Sequence, residues 1–382
     1  HVRDGGPEEE KLHRVRELIE LHNGFVTDMI AEYRPSLMAR YAEKVARVMG
    51  KVRSYAAPPA AQFSNATRGR RLLQGEFSRE GTFCSHNHLM PLALMLGCQR
   101  CGGQSLYEDV MNSVRGARRG HALRGEPEHY GREQHFYATD AWSQGVPHYL
   151  EHFPPCPRQQ SSPYEFTVDA TPAYLRKPIV ADRLVEVLPR NAVPKLRFVV
   201  ILRDPVDRLY AYWDAFVLSG VGVNRFDAWV DKTMENVLAC QKRVGSNELW
   251  PPPDTGVCDE DTVEGVAAGL YAYQLIYWLH RFDPKQFLVT TIDAYERDPQ
   301  RVVRDVAGHV GASTTLAGAV RAASDPTAVK VMGGMTADAR RKLGRFYQPH
   351  NAQLLHVFNG QPHVAYSPSI KELRIQGWTG PN

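Results

Sequence analysis

Arg203 stands directly after the apolar run Phe198-Val199-Val200-Ile201-Leu202 and before Asp204-Pro205. A planar guanidinium at such a place is shaped to grip a phosphate through two parallel hydrogen bonds. A second segment of similar plan lies upstream, where an apolar run ends in Gly97-Cys98-Gln99-Arg100-Cys101-Gly102-Gly103-Gln104-Ser105. Its glycines allow a tight loop whose backbone N–H groups can face an anion, Ser105 adds a hydroxyl, and Arg100 adds charge. The Walker pattern GxxxxGK[ST] cannot be laid on this loop. Either segment alone also reads as an ordinary strand-to-helix turn or a structural Arg–Asp pair. Two anion-gripping strand ends in one sheet, in this order, are much stronger evidence for a bound anion than either alone.

Elements of a particular kind must hold these groups. A short, unbroken apolar run bounded by a turn reads as a parallel strand buried on both faces. Pro205 suits the first turn of a helix, where its missing N–H costs nothing. Both basic residues therefore sit at carboxyl ends of strands, where open α/β sheets bind ligands. The predicted fold is α/β, a P-loop-like parallel sheet flanked by helices.

The resemblance becomes specific along the chain. CQRCGGQSLY (98–107) resembles the PKCGTTSLY loop that holds the 5′-phosphosulfate of 3′-phosphoadenosine 5′-phosphosulfate (PAPS) in sulfotransferases, and RDPVDRLYAY (203–212) resembles their 3′-phosphate motif RDPxxRxxSxY. REQHFYATD (132–140) is similar to the KExHFFD element of Golgi carbohydrate sulfotransferases, and FTVDATPAYL (166–175) to their TVEKTPAYF turn. Residues 273–299 and 335–355 resemble the later strand and the closing helix, so the similarity runs in order over about residues 89 to 358, strongest to the heparan sulfate and N-acetylgalactosamine type. Arg100 stands where the family has lysine, Gly103 and Gln104 where it has two threonines, and Ala211 where it has the 3′-phosphate serine. Ala170 replaces the lysine that heparan-type members place before TPAYF.

The resemblance implies an O-sulfotransferase that takes PAPS and releases PAP. It implies nucleotide contacts from Arg100, Cys101, Gly102, Gly103, Gln104, Ser105, Arg203 and Lys330. Taken alone, Glu133 reads as a solvated carboxylate; within REQH it matches the family's general base, with His135 orienting it and Arg100 acting at the leaving oxygen. Arg132, Thr171 and Tyr174 are the expected acceptor contacts. The acceptor class is a carbohydrate; a small hydroxylated metabolite, or a PAP- or glycan-binding homologue without turnover, are the alternatives. The resembled branch works in the Golgi lumen. Trp142, Tyr149 and Tyr174 offer rings for stacking on sugars or for the core, and Arg115, Arg118, Arg119 and Arg124 form either a solvated face or an attraction for acidic glycans.

Composition agrees with a globular enzyme. The chain has 382 residues, 43% hydrophobic and 23% charged, enough for a full α/β core. A net charge of +4 does not point to nucleic acid. No apolar run is long enough to span a bilayer. The chain begins at His1 without Met, so an amino-terminal anchor or signal is expected upstream. Residues 1–53 read as a helical extension, with Leu12, Val15, Leu18 and Ile19 at helical spacing. Residues 54–82 read as a Pro/Ala/Arg-rich linker and 83–382 as the catalytic domain.

Of six cysteines, Cys240 and Cys258 flank a Pro-rich loop that a disulfide would staple, in keeping with a secretory lumen. Cys98 and Cys101 form a C-x-x-C without a second pair, which argues against zinc and favours packing over a redox role. No metal is expected. Asn65-Ala66-Thr67 is a single glycosylation sequon.

Overall fold

The structure is a computed structural model that describes residues 75–78, 81–157, 164–218, 225–244, 265–318, 320, 334–360 and 365–366. The helical extension at 1–53, the sequon, Cys258 and Lys330 lie outside the described residues, as does most of the 54–82 stretch. Gly75–Phe77, inside that stretch, is a strand.

Among the described residues, five parallel strands form the central sheet in the order β5-β4-β6-β7-β8. They are β4 (Ala93–Gly97), β5 (Val168–Asp169), β6 (Arg197–Leu202), β7 (Phe287–Thr291) and β8 (Ala365–Tyr366). Every residue of β4 and β7, and all of β6 but Arg197, is buried, because helices cover both faces. Helix α1 (Gly103–Ser113) follows β4, α3 (Pro178–Val187) follows β5, and α4 (Pro205–Leu218) follows β6. Between β5 and β6 the chain crosses from one side of β4 to the other. Such a reversal opens a crevice at the carboxyl ends of the strands. Phe198 anchors the centre of the sheet, its ring 4.7–5.2 Å from those of Trp278, Phe282 and Phe287. Trp278 lies on α6 (Tyr271–Arg281) and donates to the Leu175 carbonyl at 3.0 Å.

Beyond the sheet, α5 (Phe226–Val244) and α9 (Ala337–Gly360) build a second apolar cluster with α4, around Leu209, Trp213, Phe226 and Leu343. Helices α7 (Ile292–Arg297) and α8 (Pro299–His309) follow β7, and α8 buries Val302, Val303 and Val306. Among the described residues no helix is long and apolar enough to cross a membrane.

A small antiparallel sheet, β1 (Gly75–Phe77), β2 (Phe83–Ser85) and β3 (His88–Leu89), precedes β4. His86 and Asn87, both at positive φ, make the two-residue turn between β2 and β3, the backbone such a hairpin requires. Cys84 of β2 is bonded to Cys156, just beyond α2 (Val146–Leu150), with Cα atoms 6.0 Å apart. The sequence expectation did not include this pair. It closes a loop between residues 72 positions apart, so the double variant Cys84→Ser/Cys156→Ser is expected to lose roughly 2–4 kcal/mol of stability. A denaturant midpoint equal to that of the oxidised wild type would contradict this.

Candidate active site

Strand β4 ends at Gly97, whose φ of +122° needs glycine; a Cβ there would lie 2.4 Å from the Pro172 carbonyl oxygen. The loop that follows is pinned to the neighbouring strand by Cys98 N–H donating to the Ile201 carbonyl at 2.8 Å. Arg100 is left-handed at φ +66°, as is Gly102 at φ +84°, and α1 begins at Gly103. No side chain caps α1, and its first turn holds no acid. Its leading N–H groups therefore face outward with a partial positive charge that suits an anion. Cys98 and Cys101 are joined by a disulfide across this loop. The reading of the pair as simple packing is corrected by this bond: the backbone reversal at Arg100 brings the two Cα atoms to 5.4 Å, inside disulfide reach.

Arg203 meets the same loop. Its Nη1 donates to the Arg100 carbonyl at 3.2 Å, while the Tyr271 hydroxyl donates to the Arg203 carbonyl at 2.9 Å. Parallel pairing of β4 with β6 is what brings the two basic residues side by side. Asp204 accepts from the Val206 N–H at 2.8 Å and starts α4. Burial, and after it the neighbouring Asp207 charge, pushes the Asp204 carboxyl up to about 6. Ala211 is buried and brings no hydroxyl to this edge. Arg208 is fully buried, donates to the Gly265 carbonyl and lies 5.3 Å from the Tyr212 ring centre.

Glu133 is half-buried between two partners. Arg132 Nε donates to Oε1 at 3.1 Å with Nη2 also 3.1 Å from that oxygen, and His135 Nε2 lies 3.6 Å from Oε2. Burial raises the carboxyl's pKa, but the His135 and Arg132 contacts outweigh it and hold the group below its ordinary value. The carboxylate is thus ionised at neutral pH. Arg132 also reaches Glu108 on α1 at 3.7 Å, which ties the Glu133 segment to the helix of the anion loop.

The end of β5 sets the shape of that segment. Asp169, fully buried, accepts from the hydroxyls of Thr171 (2.6 Å), Tyr174 (2.7 Å) and Tyr149 (2.9 Å) and from the Thr171 N–H at 3.2 Å. Thr171 in turn accepts from the His135 N–H at 3.0 Å, and Ala170 N–H donates to the Arg132 carbonyl at 2.9 Å. His135 is held left-handed at φ +53°, a conformation a non-glycine residue keeps only when its surroundings enforce it. The sequence reading missed Asp169 and Glu108. An acid ending a strand before Thr-Pro was the available signal for the first; Glu108 had none.

Thr171 and Tyr174, expected as acceptor contacts, are both fully buried with hydroxyls spent on Asp169. They stand behind the Glu133 loop, because the strand end must satisfy an interior carboxylate. Trp142 and Tyr149 are core residues, with Phe136 stacked on Tyr149 at 4.6 Å. Arg118 pairs with Glu165 at 2.7 Å and Arg119 with Glu108 at 2.8 Å, while Arg115 and Arg124 are exposed. Cys240 is buried and disulfide-bonded. Its expected partner Cys258 lies outside the described residues.

The chain is 25% identical over 180 residues to human carbohydrate sulfotransferase 15, covering 43% of this chain and 30% of that protein. It is 22% identical over 316 residues to mouse bifunctional heparan sulfate N-deacetylase/N-sulfotransferase 4, covering 75% and 32%. The chain thus spans about a third of the length of these curated relatives. A solved sulfotransferase from Alicyclobacillus acidocaldarius aligns over 71% of this chain and 96% of its own at 22% identity and a TM-score of 0.49. Residues 96–336 match the sulfotransferase domain. That match starts near the end of β4, just before the anion loop, and ends at the foot of α9, and by it the chain belongs to the sulfotransferase domain family.

Proposed function

We propose that the protein transfers the sulfuryl group of PAPS to a hydroxyl of a carbohydrate, with Glu133 as general base, and releases PAP. The observation that carries this reading is the Arg132 bridge. It stations an ionised Glu133 beside α1, the helix whose uncapped amino end suits the 5′-phosphosulfate. The donor fits the residues present: two arginines joined at 3.2 Å and an outward-facing helix terminus form a cationic, donor-rich edge. PAPS supplies the activated sulfuryl group.

The roles follow from charge. Arg203 holds the 3′-phosphate. Arg100 and the backbone from Cys101 to Ser105, with Gln104 at the mouth, hold the 5′-phosphosulfate and stabilise charge growing on the bridge oxygen. Glu133 takes the proton of the acceptor hydroxyl as its oxygen forms the new O–S bond and the sulfur–bridge-oxygen bond breaks. His135 orients the carboxylate from its Oε2 side, and Arg132 holds Oε1 and faces the acceptor. Thr171 and Tyr174 act through Asp169 as positioning residues. Lys330, by its resemblance, belongs with the nucleotide contacts. Ala170, in the place of the heparan-type lysine, favours an acceptor other than heparan. The Cys84–Cys156 and Cys98–Cys101 disulfides support an oxidising, secretory compartment, the Golgi lumen of the resembled branch.

The test is transfer of labelled sulfate from PAPS across a panel of glycosaminoglycans, other glycans and small alcohols. Label on a glycan is the expected result. Label only on small alcohols would move the acceptor to that class, and PAP binding without transfer to any acceptor would make the protein a binding homologue.

A further inference from the structure

Away from the anion loop, three side chains converge in a way sulfuryl transfer does not use. A ring nitrogen of His148, one of His152 and a carboxylate oxygen of Glu126 all lie within 4.8 Å of one another. His152 is 4% exposed. Its Nδ1 is 3.2 Å from the Tyr149 carbonyl and its Nε2 is 2.9 Å from Glu126 Oε2. With the proton on Nδ1, that nitrogen donates to the Tyr149 carbonyl and Nε2 turns its lone pair toward the cluster. A metal ion placed there would take that lone pair together with the Glu126 carboxylate oxygen. An imidazole whose other nitrogen donates to a backbone carbonyl is also how metal-bound histidines are commonly oriented.

The rest of the cluster is similarly prepared. Glu126 Oε2 accepts from the Leu123 N–H at 2.8 Å, which fixes the carboxylate. His148 in α2 and His152, two residues past its end, bring their rings together, 5.5 Å between centroids. Glu151 places a second carboxylate 3.3 Å from His148 Nδ1. We propose that Glu126, His148 and His152 form a binding site for one divalent transition-metal ion of the zinc type, with a fourth position left for water or Glu151. Two imidazoles and one carboxylate select zinc and its first-row neighbours over magnesium or calcium, which prefer all-oxygen sets. Bonds of about 2.0–2.1 Å need the three ligand atoms nearly equidistant from one point, so the most distant atoms must move inward while His152 Nε2 and Glu126 Oε2, now 2.9 Å apart, open slightly. Small rotations of His148 and Glu126, both partly exposed, supply that adjustment.

The ion would act as a staple. Glu126 lies just before the turn Glu128–Gly131 that leads into Arg132 and Glu133, while Tyr149, between the two histidines, donates to Asp169. Metal binding joins these two supports of the Glu133 segment without touching the reacting atoms. This inference is independent of the acceptor and of turnover.

The experiment uses the whole chain, stripped with EDTA and titrated calorimetrically with zinc chloride, with bound metal counted by elemental analysis after gel filtration. One ion per chain and a melting temperature that rises with zinc are expected. Cobalt should bind in its place and develop visible absorption of a tetrahedral site. His148→Ala and Glu126→Gln, at partly exposed positions, should each weaken zinc binding by about 100-fold or more, beyond what loss of a mere supporting group costs. His152→Ala, at a buried position, is the companion variant. Absence of stoichiometric zinc in the wild type would overturn the proposal, as would affinity unchanged in both His148→Ala and Glu126→Gln.

Discussion

Glu133→Gln is expected to lower sulfuryl transfer by about 10²–10⁴-fold while leaving PAP affinity nearly unchanged. The amide keeps the size of the carboxylate and can still accept from Arg132, but it cannot take the acceptor proton. The carboxylate accepts that proton only as the O–S bond forms, so its loss falls on the transition state and not on nucleotide binding. The measurement is paired: turnover with an acceptor found in the screen and calorimetric PAP binding on the same preparation. Turnover within about threefold of wild type, far from the loss of a general base, would assign the proton to another group, with His135 next in line. The pH profile gives a second check. Because Glu133 is held below its ordinary pKa, the base form persists through neutral pH. The rate limited by it should stay level there and fall only as acid protonates the carboxylate, below the usual carboxylate range.

Arg203→Ala is expected to cost roughly 2–4 kcal/mol of PAP affinity, about 30- to 1,000-fold in Kd. Two losses combine in that figure. The phosphate loses a charge-assisted, bidentate partner, and the anion loop loses the donor that holds the Arg100 carbonyl at 3.2 Å. Arg203→Lys separates them, since an ammonium keeps the charge but not the planar fork. An intermediate Kd is expected for the lysine variant. PAP should also raise the melting temperature of the wild type more than that of either variant. Unchanged PAP affinity in Arg203→Ala would sink the assignment of this strand end to the nucleotide.

What the sequence by itself determined is the part written in short-range patterns. The unbroken apolar runs of β4 and β6 report burial on both faces, and Pro205 and the glycines after β4 mark where those strands stop. Strand, turn and helix are therefore readable around Arg100 and Arg203, and so is the membership of the fold. The REQH and Thr-Pro-Ala-Tyr stretches are legible as segments too, because their residue order is local. What only the tertiary structure decided is which of these residues touch. Arg203 reaches the Arg100 carbonyl because β4 and β6 are neighbours in register, a fact about strand order that no single strand contains. Tyr174 and Thr171 look like surface contacts in a motif and turn out to be the interior donors of Asp169, since a buried carboxylate has to be satisfied wherever the chain packs it. The Cys84–Cys156 bond and the approach of Glu126 to His148 and His152 belong to the same class. Their partners are distant in sequence, and only closure of the intervening chain brings them within bonding distance.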